Sequence, residues 1–236
     1  PSETRISEPK PLPVTPCLMI DGRRMQNNID RMSECARRAG VKLRPHIKTH
    51  KIPEIAHLQL KSGAAGITAA KISEAEVMAD QGIDDIFIAF PIVTPSKLER
   101  AVQLSSRIRL TLGIDSFEGA SLLAEIAERA GTRMNVRLEI DTGMRRSGVK
   151  YEDAVDLAAR IVPLGALRLQ GIYTYRGAIL QGKPPLDLAR AGEEEGRIMA
   201  VLADRMRAAG IPIEDVSVGS TPTAAYAAQV PGVTEI

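Results

Sequence analysis

The sequence predicts an eight-stranded β/α barrel of the TIM type, and three observations support this prediction. Short extended segments alternate with amphipathic helical segments along most of the 236 residues, which is the order that builds a parallel sheet with crossover helices. Seven extended segments can be counted, and the chain ends where the eighth strand of such a barrel should begin. The glycine-rich fingerprint of the alternative fold, a doubly wound sheet, is absent after the first strand. We therefore expect a barrel without its eighth strand.

A lead-in of residues 1–40 precedes the barrel region. Its apolar run at 17–20 is expected to form a short strand. Four apolar residues at helical spacing then predict a helix over 25–39, and Gly40 is placed as the glycine that ends it. Residues 41–236 are expected to form the barrel, truncated before strand eight.

The barrel elements follow in order, each with local signals at its ends. A capping box at 73–76, a proline at the first helical position (Pro95), and glycines at 82, 131 and 210 mark starts and stops of helices. The predicted strands lie at 42–48, 65–69, 85–89, 107–113, 135–141, 167–173 and 215–218. The predicted barrel helices lie at 52–62, 74–81, 96–105, 117–130, 151–162, 186–209 and 223–229.

Composition excludes several classes of protein. Hydrophobic residues make up 44% and charged residues 25% of the chain, which is typical of a globular protein and not of a disordered one. The net charge of +2 and the 3% of aromatic residues argue against a nucleic-acid-binding surface. No apolar run is long enough to span a bilayer, and residues 1–10 are polar and lack a signal-peptide core. Because Cys17 and Cys35 form neither a metal pattern nor a disulfide framework, we expect a cytoplasmic protein.

The first predicted barrel strand carries an unusual number of cations. Strand residues alternate between two faces, so one face is cationic and the other apolar; the cationic face holds Lys42, Arg44, His46, Lys48 and His50. The segments 136–141 and 107–112 alternate in the same way. A basic surface patch is the simpler alternative. If this face points into the barrel, its clustered charges need anionic partners, from the protein or from a bound phosphate or carboxylate. This pattern predicts a ligand site at the carboxyl ends of the strands.

Lys48 is the candidate reactive residue of this site. A lysine held among other cations gives up its proton more readily, and the neutral amine can attack a carbonyl to form a Schiff base. The alternative is a structural lysine that is paired with an internal carboxylate such as Glu139 or Asp141.

A candidate phosphate loop follows the seventh predicted strand, at Gly219, Ser220 and Thr221. Backbone N–H groups and hydroxyls at the start of a helix bind phosphate well, and the loops after strands seven and eight of barrels often hold one. Small polar residues at this place are equally consistent with a plain helix cap.

Residues 44–51 (RPHIKTHK) resemble the lysine motif of the D-threonine aldolase and eukaryotic-type D-serine dehydratase family. This family belongs to the alanine-racemase-like, fold-type III enzymes that use pyridoxal 5′-phosphate. The resemblance extends from residue 15 to residue 236, and the lysine motif is its most specific part. It implies the same barrel fold as the strand pattern.

The resemblance also implies roles for individual residues. Lys48 would bind pyridoxal phosphate as a Schiff base, and Gly219, Ser220 and Thr221 would hold its phosphate. The segment 141–148 resembles the loop whose arginine approaches the phenolic oxygen of the cofactor, with Arg146 at the matching position. Tyr175 matches a residue that packs on or bonds to the pyridine ring, or it is a core tyrosine. His46 either tunes the cofactor or belongs to the packing of the motif.

The expected activity is that of a lyase acting on a β-hydroxy D-amino acid, with carbon–carbon cleavage of the D-threonine aldolase type as the leading prediction. D-serine dehydratase and amino-acid racemase activities of the same group are alternatives. A carrier that binds pyridoxal phosphate without turnover is an alternative of another class. Relatives continue into a C-terminal β domain that binds a divalent metal and are typically homodimers. No metal ligand is assigned within these 236 residues, and without that domain we expect weak or no activity.

Overall fold

The computed structural model describes residues 14–177 and 187–236, and in them the barrel topology is confirmed. The main strands pair in parallel in the order β1–β2–β3–β4–β6–β7, and β5 pairs with the end of β4. The strands are β1 Ile67–Ala69, β2 Asp85–Ile88, β3 Arg109–Ile114, β4 Met134–Asp141, β5 Val149–Lys150, β6 Leu167–Tyr173 and β7 Asp215–Ser217.

Helices connect these strands on the outside of the sheet. They are α1 Gly22–Ala39, α2 Pro53–Lys61, α3 Ile72–Asp80, α4 Pro95–Ser105, α5 Phe117–Arg129, α6 Ala154–Ile161, α7 Leu188–Ala208 and α8 Ala224–Ala227. None of the helices in the described parts of the chain combines the length and the apolarity that crossing a membrane requires. The predicted helix at 186–209 begins partly outside the described residues, and its described part forms α7.

The two ends of the barrel region meet through isolated bridges. Glu235 bridges both Lys42 and Ser217 in parallel fashion. The Lys42 N–H donates to the Thr234 carbonyl at 2.9 Å, and the Ile236 N–H donates to the Lys42 carbonyl at 2.9 Å. The described residues contain no regular eighth strand. Residues 234–236 occupy its position between Lys42 and Ser217, so the barrel is more nearly closed than the sequence predicted.

Two expected strands are wrong in the described structure. Residues 42–48 form bridges only at Lys42 and His46, and a 3-10 turn begins at Ile47. Pro45 interrupts the segment because a proline has no N–H to donate to a neighbouring strand. Residues 17–20 form no strand, because no described segment pairs with them, and Leu18 is fully exposed.

The two faces of the sheet have opposite character. Alternate residues of β4, such as Val136 and Leu138, are fully buried under the helices. The residues between them, Arg137 and Glu139, point into the barrel and are also buried. The prediction of a charged barrel interior is therefore confirmed for this strand, and the apolar core lies between the sheet and the helices.

Candidate functional site

A network of ion pairs fills the lower part of the barrel, which is the part at the amino ends of the strands. The buried Glu235 carboxylate accepts from Arg44 Nε at 2.9 Å and also pairs with Arg137 Nη1. Arg137 Nη2 donates to Asp215 at 2.8 Å, and Arg44 Nη1 donates to Asp85 at 2.7 Å. The two deeper cations are thus neutralised by the protein's own carboxylates and need no bound anion.

Electrostatics keep Glu235 ionised. Burial disfavours its charge, but the guanidinium groups of Arg137 and Arg44 outweigh burial and lower the Glu235 pKa to about 2. The network therefore carries full charges at neutral pH.

The middle of the barrel holds a buried tyrosine–carboxylate pair. Tyr173 donates its hydroxyl to Glu139 Oε2 at 3.0 Å, and Ser147 donates to Glu139 Oε1 at 2.8 Å. Burial raises the pKa of Glu139, and burial together with the Glu139 charge raises that of Tyr173. Because Ser147 lies in the loop after β4, this pair also attaches that loop to the barrel.

The upper rim of the barrel, at the carboxyl ends of the strands, brings Lys48, Arg146 and Tyr175 together. Lys48 Nζ lies 5.4 Å from the centre of the Tyr175 ring, and Arg146 Cζ lies 5.3 Å from the same ring. Both distances allow cation–π attraction. Among the described residues neither cation has an ion-pair partner within 4.0 Å, so the alternative in which Lys48 pairs with Glu139 or Asp141 is not observed.

A local turn, and not a strand end, presents Lys48. The lysine lies in the 3-10 turn Ile47–Thr49, and its N–H donates to His46 Nδ1 at 3.3 Å. Burial and the nearby Lys48 charge lower the His46 pKa to about 4, so this ring stays neutral and can accept that bond. Lys51 then adopts a left-handed φ of 55° and pairs with Glu74 at 2.7 Å, which attaches the turn to α3.

The prediction that five cations share one face is wrong. The turn removes His50 from that face; its Nδ1 accepts from the Ile52 N–H at 3.0 Å. Lys42 is half-exposed and pairs with Asp215 at 3.0 Å. The turn was missed because the alternating charges follow the period of a strand through 50, although Pro45 was a sequence signal of the break.

The candidate phosphate loop forms a turn before a very short helix. Ser220 and Thr223 share a hydroxyl–hydroxyl bond of 2.9 Å, and the Ser220 carbonyl accepts from the N–H groups of Thr223 and Ala224. Helix α8 has only four residues, so a turn and not a long helix presents the N–H groups of this loop, and phosphate binding by the loop stays a prediction. The N–H groups of Ser220 and Thr221 have no acceptor among the described residues.

Most of the predicted site residues line one cavity of about 120 Å³ at the rim. Those that line it are His46, Lys48, Arg146, Tyr175 and Gly219. Ser220 and Thr221 follow Gly219 along the chain but do not line the cavity. Glu139 and Tyr173 also line it and were not predicted as site residues, although the alternating charges of β4 directed attention to Glu139.

Comparison with known proteins places these residues in a family. Residues 20–234 match the family described as alanine racemase, N-terminal domain. The chain is 40% identical over 225 residues to D-threo-3-hydroxyaspartate dehydratase from Delftia sp. (strain HT23), covering 94% of this chain and 59% of that protein. It is 34% identical over 226 residues to D-threonine aldolase from Arthrobacter sp., again covering 94% of this chain and 59% of the relative.

A solved structure shows the same fold. The crystal structure of D-threonine aldolase from Filomicrobium marinum superposes with a TM-score of 0.87 at 32% identity, over 94% of this chain and 60% of that one. The chain thus spans about three fifths of the length of these relatives.

Proposed function

The chain belongs to the family of alanine racemase N-terminal domains, and we propose that it provides the pyridoxal phosphate site of a lyase that acts on β-hydroxy D-amino acids. One observation carries this proposal. Lys48 and Arg146 both lie within 5.4 Å of the centre of the Tyr175 ring and have no ion-pair partners among the described residues, whereas the deeper Arg44 and Arg137 are already neutralised. Of these four cations, the two that lack a carboxylate partner are therefore the two at the rim.

The groups at the rim match the chemistry of pyridoxal phosphate. An exposed lysine amine suits its aldehyde, an aromatic ring suits its flat pyridine ring, and an arginine suits its phenolic oxygen. Two backbone N–H groups without acceptors, at Ser220 and Thr221, suit its phosphate. When bound, pyridoxal phosphate accepts the substrate amine at its aldehyde carbon and draws electrons from the bonds around the α-carbon.

The residues of the chain divide the remaining work. Lys48 Nζ would bind the aldehyde and later hold or release a proton at that nitrogen. His46 would orient Lys48, because its neutral Nδ1 accepts a hydrogen bond from the backbone N–H of Lys48. Tyr175 and Arg146 would orient the ring, and the Tyr173–Glu139 pair would attach the loop of Arg146 through Ser147.

The first experiment is an absorbance titration of the purified chain with pyridoxal phosphate. The wild type is expected to develop the visible band of a lysine-bound cofactor, and Lys48→Ala is expected to lose it. Lys97→Ala is the matched control, because Lys97 is an exposed lysine on α4 that does not line the cavity. Circular dichroism establishes that all three proteins are folded. A folded wild type without the band, or a Lys48→Ala variant that keeps it, would refute the proposal.

The reaction type is tested by its products. Cleavage of D-threonine to glycine and acetaldehyde identifies an aldolase, which remains our leading prediction. Ammonia and a keto acid identify a dehydratase, and loss of optical activity without a product identifies a racemase. Because weak or no activity is expected from these 236 residues without the C-terminal β domain, the products are measured on a longer chain that includes such a domain. A lysine-dependent band without turnover of any D-amino acid by that longer chain would instead support the carrier alternative. The predicted dimer is tested separately by light scattering.

A further inference from the structure

Helix α7 carries a fully buried glutamate, Glu195, beside the candidate site. Two glycines on the same side of the helix allow the close approach. A Cβ at Gly192 would lie 2.5 Å from the Thr223 carbonyl oxygen, and one at Gly196 would lie 2.8 Å from Val230. Because these two positions have no side chains, α7 can pack closely against the segment that follows the candidate phosphate loop.

The Glu195 carboxylate contacts both upper loops of the site. Its Oε1 accepts from the Arg176 N–H at 3.0 Å, and Arg176 directly follows Tyr175. The Gly219 N–H is close enough to the same carboxylate to lower its pKa. One side chain therefore lies between the backbone that carries Tyr175 and the backbone that begins the phosphate loop.

Burial of Glu195 leaves several polar atoms around it unpaired. Its Oε2 has no hydrogen-bond partner among the described residues, and neither have Nε and Nη1 of the buried Arg176. Arg176 donates from Nη2 to Glu194 instead, at 2.8 Å. Burial raises the Glu195 pKa to about 7, against the opposing effect of the Arg176 N–H. An apolar residue would avoid these costs of burial.

We propose that Glu195 is a positioning residue that sets the phosphate loop at Gly219 relative to Tyr175. It does so through backbone N–H groups, so it acts on the phosphate end of the ligand and not on the bond to Lys48. The inference rests on the proposed function, because it takes pyridoxal phosphate as the ligand. It predicts that removal of the carboxyl group reduces the preference for a phosphorylated ligand and leaves the lysine reaction intact.

The test compares two ligands that differ only in phosphate. Pyridoxal phosphate and pyridoxal are titrated into the wild type, Glu195→Ala, Glu195→Gln and the control Glu194→Gln, with the visible band as the readout. Glu194 accepts a hydrogen bond from the Arg176 side chain. We expect Glu195→Ala to weaken pyridoxal phosphate binding about tenfold, the size of a lost hydrogen bond to a charged group. The affinity of Glu195→Ala for pyridoxal, and the affinity of the control Glu194→Gln for both ligands, should stay within about twofold of the wild-type value, which corresponds to no lost contact.

Glu195→Gln keeps the size of the side chain and one acceptor oxygen, so it serves where Glu195→Ala does not fold. It should show a smaller loss that is again confined to the phosphorylated ligand. The positioning role would be overturned if the Glu195 variants lost the same affinity for both ligands. It would also be overturned if both variants kept the wild-type preference for pyridoxal phosphate over pyridoxal. A wild type that binds neither ligand would instead refute the proposed function, and this pattern is distinct from the other two.

Discussion

The substitution Glu235→Gln tests whether the buried ion network holds the barrel closed. Glu235 is fully buried and accepts from Arg44, Arg137 and Ser217. Its backbone bridges Lys42 on one side and Ser217, in β7, on the other. The amide is nearly the same size as the carboxyl group, so the variant removes charge and one acceptor while it leaves the packing in place.

The expected loss follows from the burial of both partners. The Arg137 side chain is 3% exposed and that of Glu235 is 0% exposed. Breaking one partner of a buried pair costs about 3–5 kcal/mol, because the remaining charge is left without compensation. Asp215 and Asp85 stay in place and keep the two arginines partly paired, which favours the lower end of that range. Such a loss is a large fraction of a total stability of about 5–15 kcal/mol.

Urea unfolding followed by circular dichroism measures this change. With a slope of about 3 kcal/mol per molar urea, the midpoint should fall by about 1 M or more. The control is Glu214→Gln, whose partner Arg168 is 48% exposed and whose ion pair should contribute less than about 1 kcal/mol. If Glu235→Gln changed stability no more than Glu214→Gln, the network would not hold the barrel together.

The pH dependence gives a second check on the same residue. The Glu235 pKa is lowered from 4.5 to about 2 by folding, after burial is outweighed by the two arginines. Its stabilisation is therefore fully present above about pH 4.5 and is lost as the pH falls toward 2. Wild type and Glu235→Gln should converge in stability at acid pH.

Three further predictions concern the site and its loops. Gly113→Ala should cost about 1–3 kcal/mol in urea unfolding, because its Cβ would lie 2.2 Å from the Tyr173 hydroxyl; Gly22→Ala, with open space around it, should cost little, and equal effects would refute this. The His46 ring, whose pKa burial and Lys48 lower to about 4, should titrate near that pH by NMR and should weaken the fold as the pH falls from about 6.5 to 4; titration above pH 6 would contradict it. Arg145→Gly should raise the free energy of unfolding by up to about 1 kcal/mol because Arg145 has a φ of 53°, and Arg145→Val should lower it; a loss in Arg145→Gly would disprove the strain.

The strand-and-helix order of the barrel was predictable because local signals agree with the global fold. Strands β2, β4 and β6 lie where the sequence predicted extended segments. The predicted C-cap glycine Gly40 has the left-handed conformation that ends α1. The expected strand at 17–20 was wrong, because apolar residues form a strand only when a partner segment is close by.

The candidate site was predictable in its residues more than in its geometry. Lys48, Arg146, Tyr175 and Gly219 come from four distant segments and line one cavity, as expected for a site at the carboxyl end of the barrel. The 3-10 turn that carries Lys48 was not predicted. Neither was Glu195, since a glutamate in a long amphipathic helix has the same local pattern whether it faces solvent or the core.

Residue type and spacing were therefore enough to predict the fold class and the charged inner face of β4, because these depend on periods of two and 3.6 residues along the chain. The lysine motif was identified by its resemblance to a family, and the reactivity of Lys48 stays a prediction. Which charges pair with one another was decided only by the tertiary structure. Arg137 and Glu235 are 98 residues apart in sequence but form a buried pair, and Lys48 is left without an ion partner among the described residues. Pairing depends on distances across the barrel, and those distances exist only after the strands have closed into it.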